Sequence, residues 1–143
     1  MAIINQLPHP TSGGGGGGGG ETETVLWENS SPSSAFAAKT VTLSDNLSNY
    51  KKLRIYAIRT TGDATPIHWT EVNLADGEID YYVDGTNIMA FSINMQGEKY
   101  NYSRLGYITT AKTGVYFTTA YRLNSSSGHN TGYCVPVKIS GIN

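Results

Sequence analysis

Apolar side chains fall on alternate positions in several short segments of the chain. These segments contain Val25 and Trp27; Val41 and Leu43; Met89, Phe91, Ile93 and Met95; Val115, Phe117, Tyr121 and Leu123; and Tyr133, Val135, Val137 and Ile139. Successive side chains of a strand point to opposite faces, so a period of two is typical of strands with one buried face. The pattern therefore predicts strands in each of these segments.

Turn-forming residues separate the predicted strands. Asp76-Gly77 and Asp84-Gly85 suit tight hairpin turns, because both residue types tolerate positive φ. The other interruptions are Gly62, Gly97, Gly114 and the polar stretch from Asn124 to Asn130. Eight or nine strands result, and no segment has the apolar repeat of 3.6 that a helix needs.

This spacing of strands and turns predicts an all-β fold, an antiparallel β-sandwich of the jelly-roll type. Pro136 lies inside the last predicted strand and has no N–H to donate. We therefore expect this strand to lie at a sheet edge or to carry a bulge at Pro136.

Eight consecutive glycines, Gly13 to Gly20, divide the chain into two unequal parts. A polyglycine segment of this length is a flexible tether with a root-mean-square span of roughly 15 Å and a reach below about 28 Å. The predicted organisation is a peptide at residues 1–12, a linker at 13–20 and a β-sandwich domain at 21–143.

The N-terminal peptide has a small apolar cluster, Ile3, Ile4 and Leu7, followed by Pro8 and Pro10. The prolines keep the following backbone extended. A loose chain end is the ordinary interpretation of such a segment. The tether favours the other interpretation, a docking peptide whose contacts are made by Ile3, Ile4 and Leu7.

Charge and cysteine content exclude several classes of partner. The net charge is −1 and the ten Lys and Arg residues are scattered, which argues against nucleic-acid binding. Cys134 is the single cysteine, so no intrachain disulfide is expected, as in a protein made in a reducing cytoplasm. Neither a secretory signal peptide nor an apolar run long enough for membrane insertion is found in the sequence.

Two groups of residues deserve comparison with known reactive sites. Asp76, Glu78, Asp80 and Asp84 offer oxygen ligands, but their spacing matches no calcium loop, and solvated acidic turns are the commoner case. His68 next to Trp69 and Glu71 lacks the frame of a known catalytic motif. A carboxylate pair formed only by the fold would not be visible in the sequence. We predict no metal, no cofactor and no enzymatic activity.

The ten tyrosines are more informative than the charged residues. Most lie in predicted strands, so some face the core and others face outwards. Tyrosine and tryptophan provide rigid contact area with a polar tip, which suits subunit interfaces and the stacking of sugars. We predict that Trp69, Tyr100 and Tyr102 are exposed residues that bind a glycan or a protein partner.

The segment from Thr24 to Arg59 resembles a known β-domain. Its matching features are the Leu26-Trp27 pair, the strand Thr40-Val41-Thr42-Leu43-Ser44 and the turn Ser48-Asn49-Tyr50. The closing run from Val135 to Asn143 is also similar. The resembling domain is found near the C-termini of tail-fibre and other tail-associated proteins in phages and prophages of Gram-positive bacteria. The resemblance covers most of residues 21–143 and brings no catalytic residue with it.

The resemblance implies a phage structural protein on the virion surface, made in the host cytoplasm. Its expected partners are capsid or tail proteins through residues 1–12, further copies of itself in a homotrimer, and host-surface polysaccharide. The resembling domains usually end a long fibre, whereas about twenty residues precede the domain in this sequence. Two alternatives stay open: a capsid decoration or head-fibre protein without a receptor role, and a stand-alone carbohydrate-binding module.

Overall fold

The computed structural model describes residues 20–63, 68–74, 81–83, 86–96, 100–123 and 129–143. Several predictions fall outside these ranges: the docking residues Ile3, Ile4 and Leu7, the tether up to residue 19, both Asp-Gly turns, and the acidic residues Asp76, Glu78, Asp80 and Asp84. Within the described ranges no helix is long and apolar enough to cross a lipid bilayer. The longest helical element described is one 3-10 turn, Leu47–Asn49.

Eleven strands are described. They are β1 (Glu23–Glu28), β2 (Lys39–Thr42), β3 (Lys52–Thr60), β4 (His68–Asn73), β5 (Tyr81–Val83), β6 (Thr86–Ile88), β7 (Ala90–Gln96), β8 (Asn101–Ile108), β9 (Gly114–Arg122), β10 (His129–Asn130) and β11 (Tyr133–Ile142). The prediction of eight or nine strands omitted the shortest ones. β5 and β6, of three residues each, pair only with one another, and β10 has two residues.

The strands form two antiparallel sheets. The first sheet has the order β1-β11-β3-β4. The second has the order β9-β8-β7, and β2 and β10 both pair with β9, β2 near its start and β10 near its end. The sheets pack against each other through β3, β11, β7 and β8. The predicted all-β antiparallel sandwich is confirmed.

The core lies between the sheets and follows the predicted alternation in most strands. Its fully or nearly buried side chains include Leu53, Ile55, Ala57, Phe91, Ile93, Met95, Val115, Phe117, Val135 and Ile139. Four aromatic rings cross it in edge-to-face contacts: Trp27 to Phe36 at 6.0 Å, Phe36 to Phe117 at 5.7 Å and Phe117 to Phe91 at 5.7 Å. Such pairs stabilise a core by more than the burial of their apolar surface alone would.

The alternation is wrong in two places. In β1 the buried residue is Leu26, while Val25 is 45% exposed, and the pairing of β1 with β11 shifts register between Val25 and Trp27. At the end of β9 Leu123 is 57% exposed rather than buried. β-bulges explain such errors, because one extra residue exchanges the faces of everything beyond it.

The structure decides between the two predictions for Pro136, a strand at a sheet edge or a bulge. β11 lies between β1 and β3, so the edge-strand alternative is wrong. The pairing of β11 with β3 shifts register between Pro136 and Lys138, which confirms the predicted bulge. The bulge accommodates a residue without an N–H in the middle of a sheet.

Arg104 is the one charged side chain among the described residues that is completely buried. Its guanidinium donates hydrogen bonds only to backbone carbonyls: those of Cys134 at 2.8 Å, Phe36 at 3.1 Å, Tyr133 at 2.9 Å and Thr131 at 3.4 Å, together with a short bond to Thr118. Burial lowers its pKa to about 10, which leaves it charged at neutral pH. Arg104 thereby joins β8 and β9 to the β1–β2 loop and to the start of β11.

Cys134 lies at the same junction with a φ of 48°, in the left-handed region that L-residues rarely adopt. Its thiol is buried, and burial raises its pKa to about 12. Because the thiolate is the reactive form, this cysteine is inert in the folded protein.

Gly20, the last glycine of the tether and the first described residue, precedes a backbone pair at one end of the sandwich. Thr22 and Asn143 pair through two backbone hydrogen bonds of 2.8 and 3.0 Å, and the side chain of Asn143 donates to the Asn49 carbonyl. Glu23 and Lys52 lie beside Ile142 at this proximal end, and Tyr133 lies beside Thr60 at the opposite, distal end. The ten residues of β11 separate the two ends by about 30 Å.

Candidate functional site

Three tyrosines and one arginine come together at the distal end. In this distal tyrosine cluster, the rings of Tyr102 and Tyr133 stack at 3.6 Å with an interplanar angle of 9°. The guanidinium carbon of Arg122 lies 4.2 Å from the ring centre of Tyr100. Tyr100, Arg122 and Tyr133 are partly exposed, so the cluster reaches the surface.

Strand register brings these residues together. Tyr102 in β8 is opposite both Met95 in β7 and Arg122 in β9, so all three side chains point between the sheets. Tyr133 begins β11 in the other sheet and closes the cluster from that side. Gln96 and Leu123 lie at the same end of the sheet, where Gln96 pairs with Asn101 and the Leu123 N–H donates to the Asn101 carbonyl at 2.9 Å.

Tyr102 has a different role from the one predicted. Its side chain is only 6% exposed, so the prediction that it is an exposed contact residue is wrong. An inward position and stacking on Tyr133 explain the burial. A hydrogen bond with Tyr133, together with burial, raises the pKa of Tyr102. Tyr102 therefore supports the cluster, while Tyr100 is partly exposed and remains a predicted contact residue.

Trp69 lies in a separate place, on the outer face of the first sheet. It is partly exposed, and the guanidinium carbon of Arg54 stands 4.6 Å from its ring centre. The Arg54 guanidinium therefore covers one face of the Trp69 ring. The structure thus brings Tyr100 and Tyr102 together but places Trp69 among other residues.

Arg54 is fixed by a network of acidic side chains. It bonds Glu71 through Nε at 2.9 Å and Nη2 at 2.7 Å, and Glu21 through Nη2 at 3.0 Å. Burial alone would lower the pKa of Arg54, but hydrogen bonds with Tyr56, Glu71 and Glu21 raise it above its usual value. Hydrogen bonds from Lys52 and Arg54 lower the pKa of Glu21.

Further members complete this network. Glu23 accepts a hydrogen bond from the Tyr56 hydroxyl at 2.8 Å and pairs with Lys138 at 3.3 Å. The Lys138 ammonium in turn lies 4.1 Å from the centre of the Tyr56 ring. Three acidic residues, Glu21, Glu23 and Glu71, thus balance Lys52, Arg54 and Lys138. This face is well suited to contact with water, and it holds Trp69 in a fixed orientation.

His68 and Glu71 do not form an acid-base pair in this fold. Trp69 and Glu71 share the outer face of β4, and His68 points to the other face because side chains alternate. Burial lowers the pKa of His68, which favours the neutral imidazole. In the part of the chain that the structure describes, no three His, Cys, Asp or Glu side chains are grouped as metal ligands.

The sequence did not indicate Arg122 or Tyr133 as site residues. The alternation of Val115 and Phe117 predicted that Tyr121 and Leu123 would continue the inward face. A register shift in the pairing of β8 with β9, between Arg104 and Gly106, instead places Arg122 inwards. Only the pairing of β8 with β9 could have revealed this position.

The chain was compared with protein families and with curated proteins. No protein-family model matches the chain, and the search of curated proteins found no match either.

Proposed function

We propose that this chain is a phage virion protein displayed on the particle surface. Its N-terminal peptide docks on a capsid or tail protein through Ile3, Ile4 and Leu7. The glycine tether then carries the β-sandwich, which assembles as a homotrimer and binds glycans of the host surface.

The observation that carries this proposal is the position of the tether relative to the distal tyrosine cluster. The tether enters beside the Thr22–Asn143 pair, and Tyr102 and Tyr133 stack at the other end of the strands. A domain attached at its proximal end presents its distal end to whatever the particle approaches. Attachment and recognition can therefore occur together without competing for the same surface.

The chemistry of the cluster fits a polyhydroxylated ligand. Tyrosine rings pack against the apolar faces of sugars, and their hydroxyls both donate and accept hydrogen bonds. Tyr100 and Tyr133 are the partly exposed tyrosines, and Tyr102 fixes the orientation of Tyr133 by stacking. Trp69 is a second predicted contact, with its ring held by Arg54.

A glycan array tests the recognition half of the proposal. The full-length chain is expected to bind wall polysaccharides of Gram-positive bacteria, and Tyr100→Ala is expected to weaken binding about two- to tenfold, since an aromatic contact is worth about 0.5–1.5 kcal/mol. Trp69→Ala measures the second contact. Val25→Ala, a change at an exposed residue remote from both, is the control and should bind normally.

The result also separates the alternatives. Absence of binding across a broad array would contradict the receptor role and favour a capsid decoration or head-fibre protein. Glycan binding by a chain that never associates with particles would favour a stand-alone carbohydrate-binding module.

A further inference from the structure

The outer face of the second sheet differs from that of the first in having no charged side chain among its described residues. Cross-strand partners define three rows on it. They are Ala90, Tyr107, Tyr116 and Thr40; Ser92, Leu105 and Thr118; and Asn94, Ser103 and Tyr121. Lys39, the nearest lysine in β2, turns away from this face, since its ammonium lies over the Phe36 ring at 4.6 Å.

Leu105 is presented near the centre of this face. It is 44% exposed, an unusual degree for a leucine in an internal strand. It lies opposite the register shift in the pairing of β8 with β9, where β9 has one extra residue, and the Thr118 hydroxyl accepts from its N–H and donates to its carbonyl, both at 3.2 Å. Arg104 and Gly106 on either side are buried, so the regular alternation of β8 turns the Leu105 side chain outwards.

Tyr107 and Tyr116 stand next to Leu105. Their rings stack on each other at 4.8 Å with an interplanar angle of 27°. Side chains stand roughly perpendicular to a sheet, so a stacked pair of this kind presents ring edges and hydroxyls rather than open ring faces. Ring edges and hydroxyls of this kind can pack against another protein surface and donate hydrogen bonds to it.

The composition matches that of a protein interface. Interface cores are depleted of charged residues and enriched in tyrosine, with an apolar centre and a polar rim. The outer face of the first sheet has the opposite character, with six charged side chains joined by ion pairs of 2.7 to 3.8 Å. The outer face of the first sheet is thus suited to contact with water, and the outer face of the second sheet is suited to burial in an interface.

We propose that the outer face of the second sheet, centred on Leu105, Tyr107 and Tyr116, packs against the same face of a second copy of this chain. Charge is the reason for choosing a second copy. In a symmetric contact a surface meets its own residues, so an uncharged face can meet itself without bringing like charges together.

The size of the face is sufficient for such a contact. It is about 19 Å wide, from four strand positions, and about 26 Å long, or roughly 500 Å² in projection. Two such faces bury on the order of 1,000 Å², the lower limit for a specific interface. A face that meets itself closes with two copies, so the inference takes neither the homotrimer nor particle attachment from the proposed function.

Sedimentation velocity of the full-length chain tests the interface. Wild-type protein is expected to sediment as an oligomer at micromolar concentration, and Leu105→Lys as a monomer, with a dissociation constant raised at least about a hundredfold by placing like charges face to face. Val25→Lys is a matched control, because Val25 is 45% exposed in the first sheet. It should sediment as wild type.

Folding of each variant is verified by circular dichroism and by the protection of Cys134 from alkylation, so that a lost oligomer is not mistaken for a lost fold. A wild-type monomer throughout the micromolar range would overturn the proposal. So would equal oligomerisation of Leu105→Lys and Val25→Lys, or a Leu105→Lys variant that loses glycan binding but remains an oligomer. Removing residues 1–12 should leave the oligomer intact, which separates this test from that of particle attachment.

Discussion

Replacing Arg104 by methionine is expected to lower the free energy of unfolding by about 3–5 kcal/mol, because several buried carbonyls lose a hydrogen bond and each such group costs about 1–3 kcal/mol when it is left unsatisfied. Methionine keeps much of the volume but donates no hydrogen bond. The carbonyls of Phe36, Thr118, Tyr133 and Cys134 would lose the guanidinium as a donor, while that of Thr131 keeps its bond from the Phe36 N–H at 2.8 Å. Domains of this size are commonly stable by only about 5–15 kcal/mol, so the loss is a large part of the total.

Chemical denaturation measures this loss, and Cys134 provides an independent readout. The thiol is buried and has a pKa near 12, so its alkylation reports opening of the domain. Alkylation should accelerate strongly in Arg104→Met. Arg104→Lys should be almost as unstable, since an ammonium has three donors on one atom and cannot span carbonyls on several sides.

Arg59→Met is the matched control. Arg59 is 38% exposed in its side chain and pairs with Asp63 at 3.0 Å, four residues along the chain. Such a surface pair is worth about 1 kcal/mol or less, so this variant should unfold almost as wild type does. A free energy of unfolding for Arg104→Met within about 1 kcal/mol of that of Arg59→Met would contradict the structural role of Arg104.

Removing residues 1–12 is expected to abolish incorporation into virions without changing the fold. In the proposed function Ile3, Ile4 and Leu7 make the docking contacts, while the sandwich has a core of its own between its two sheets. The deleted chain should therefore show the same denaturation midpoint and the same Cys134 protection as the full chain. Particle association is measured by co-sedimentation after expression during infection.

A narrower change isolates the apolar contacts. Replacing Ile3, Ile4 and Leu7 together by serine keeps the length of the peptide and its prolines. The triple variant should fail to incorporate as completely as the deletion, because burying each such side chain contributes about 1.5–3 kcal/mol. Normal incorporation of either variant would contradict the docking role of the peptide.

The sequence predicted the sandwich well because its core strands alternate regularly. Phe91, Ile93 and Met95 face inwards as the pattern required, and Pro136 marked a bulge from the chemistry of proline alone. These features are local, and local patterns determine which residues can share a face. The division at the glycine tether is likewise a property of the sequence itself.

The errors have a common physical cause, which is that bulges and tertiary contacts are not local. The register shift after Val25 buries Leu26, and the extra residue of β9 opposite Leu105 places Arg122 inwards. Gly106 follows that second shift at a position where an added Cβ would lie 2.8 Å from the Tyr116 carbonyl oxygen. The period-two pattern of the sequence does not indicate that a side chain is excluded at Gly106.

The candidate site was predicted only in part for the same reason. Tyr100 and Tyr102 were selected as tyrosines in a strand, but burial of Tyr102 depends on Tyr133, which comes from the other sheet. Arg104 gave no sign of burial, because an arginine in a polar segment ordinarily lies at the surface. Its partners are backbone carbonyls from three separate parts of the chain, which only the folded structure brings together.

The most direct test of the virion assignment is quantitative mass spectrometry of density-purified particles from cells that produce this chain. The proposed function predicts that the chain co-purifies with the particles in a fixed ratio to the major capsid protein, and that this ratio is a multiple of three per attachment site. Recovery of the chain only in the particle-free fraction of the lysate would contradict it.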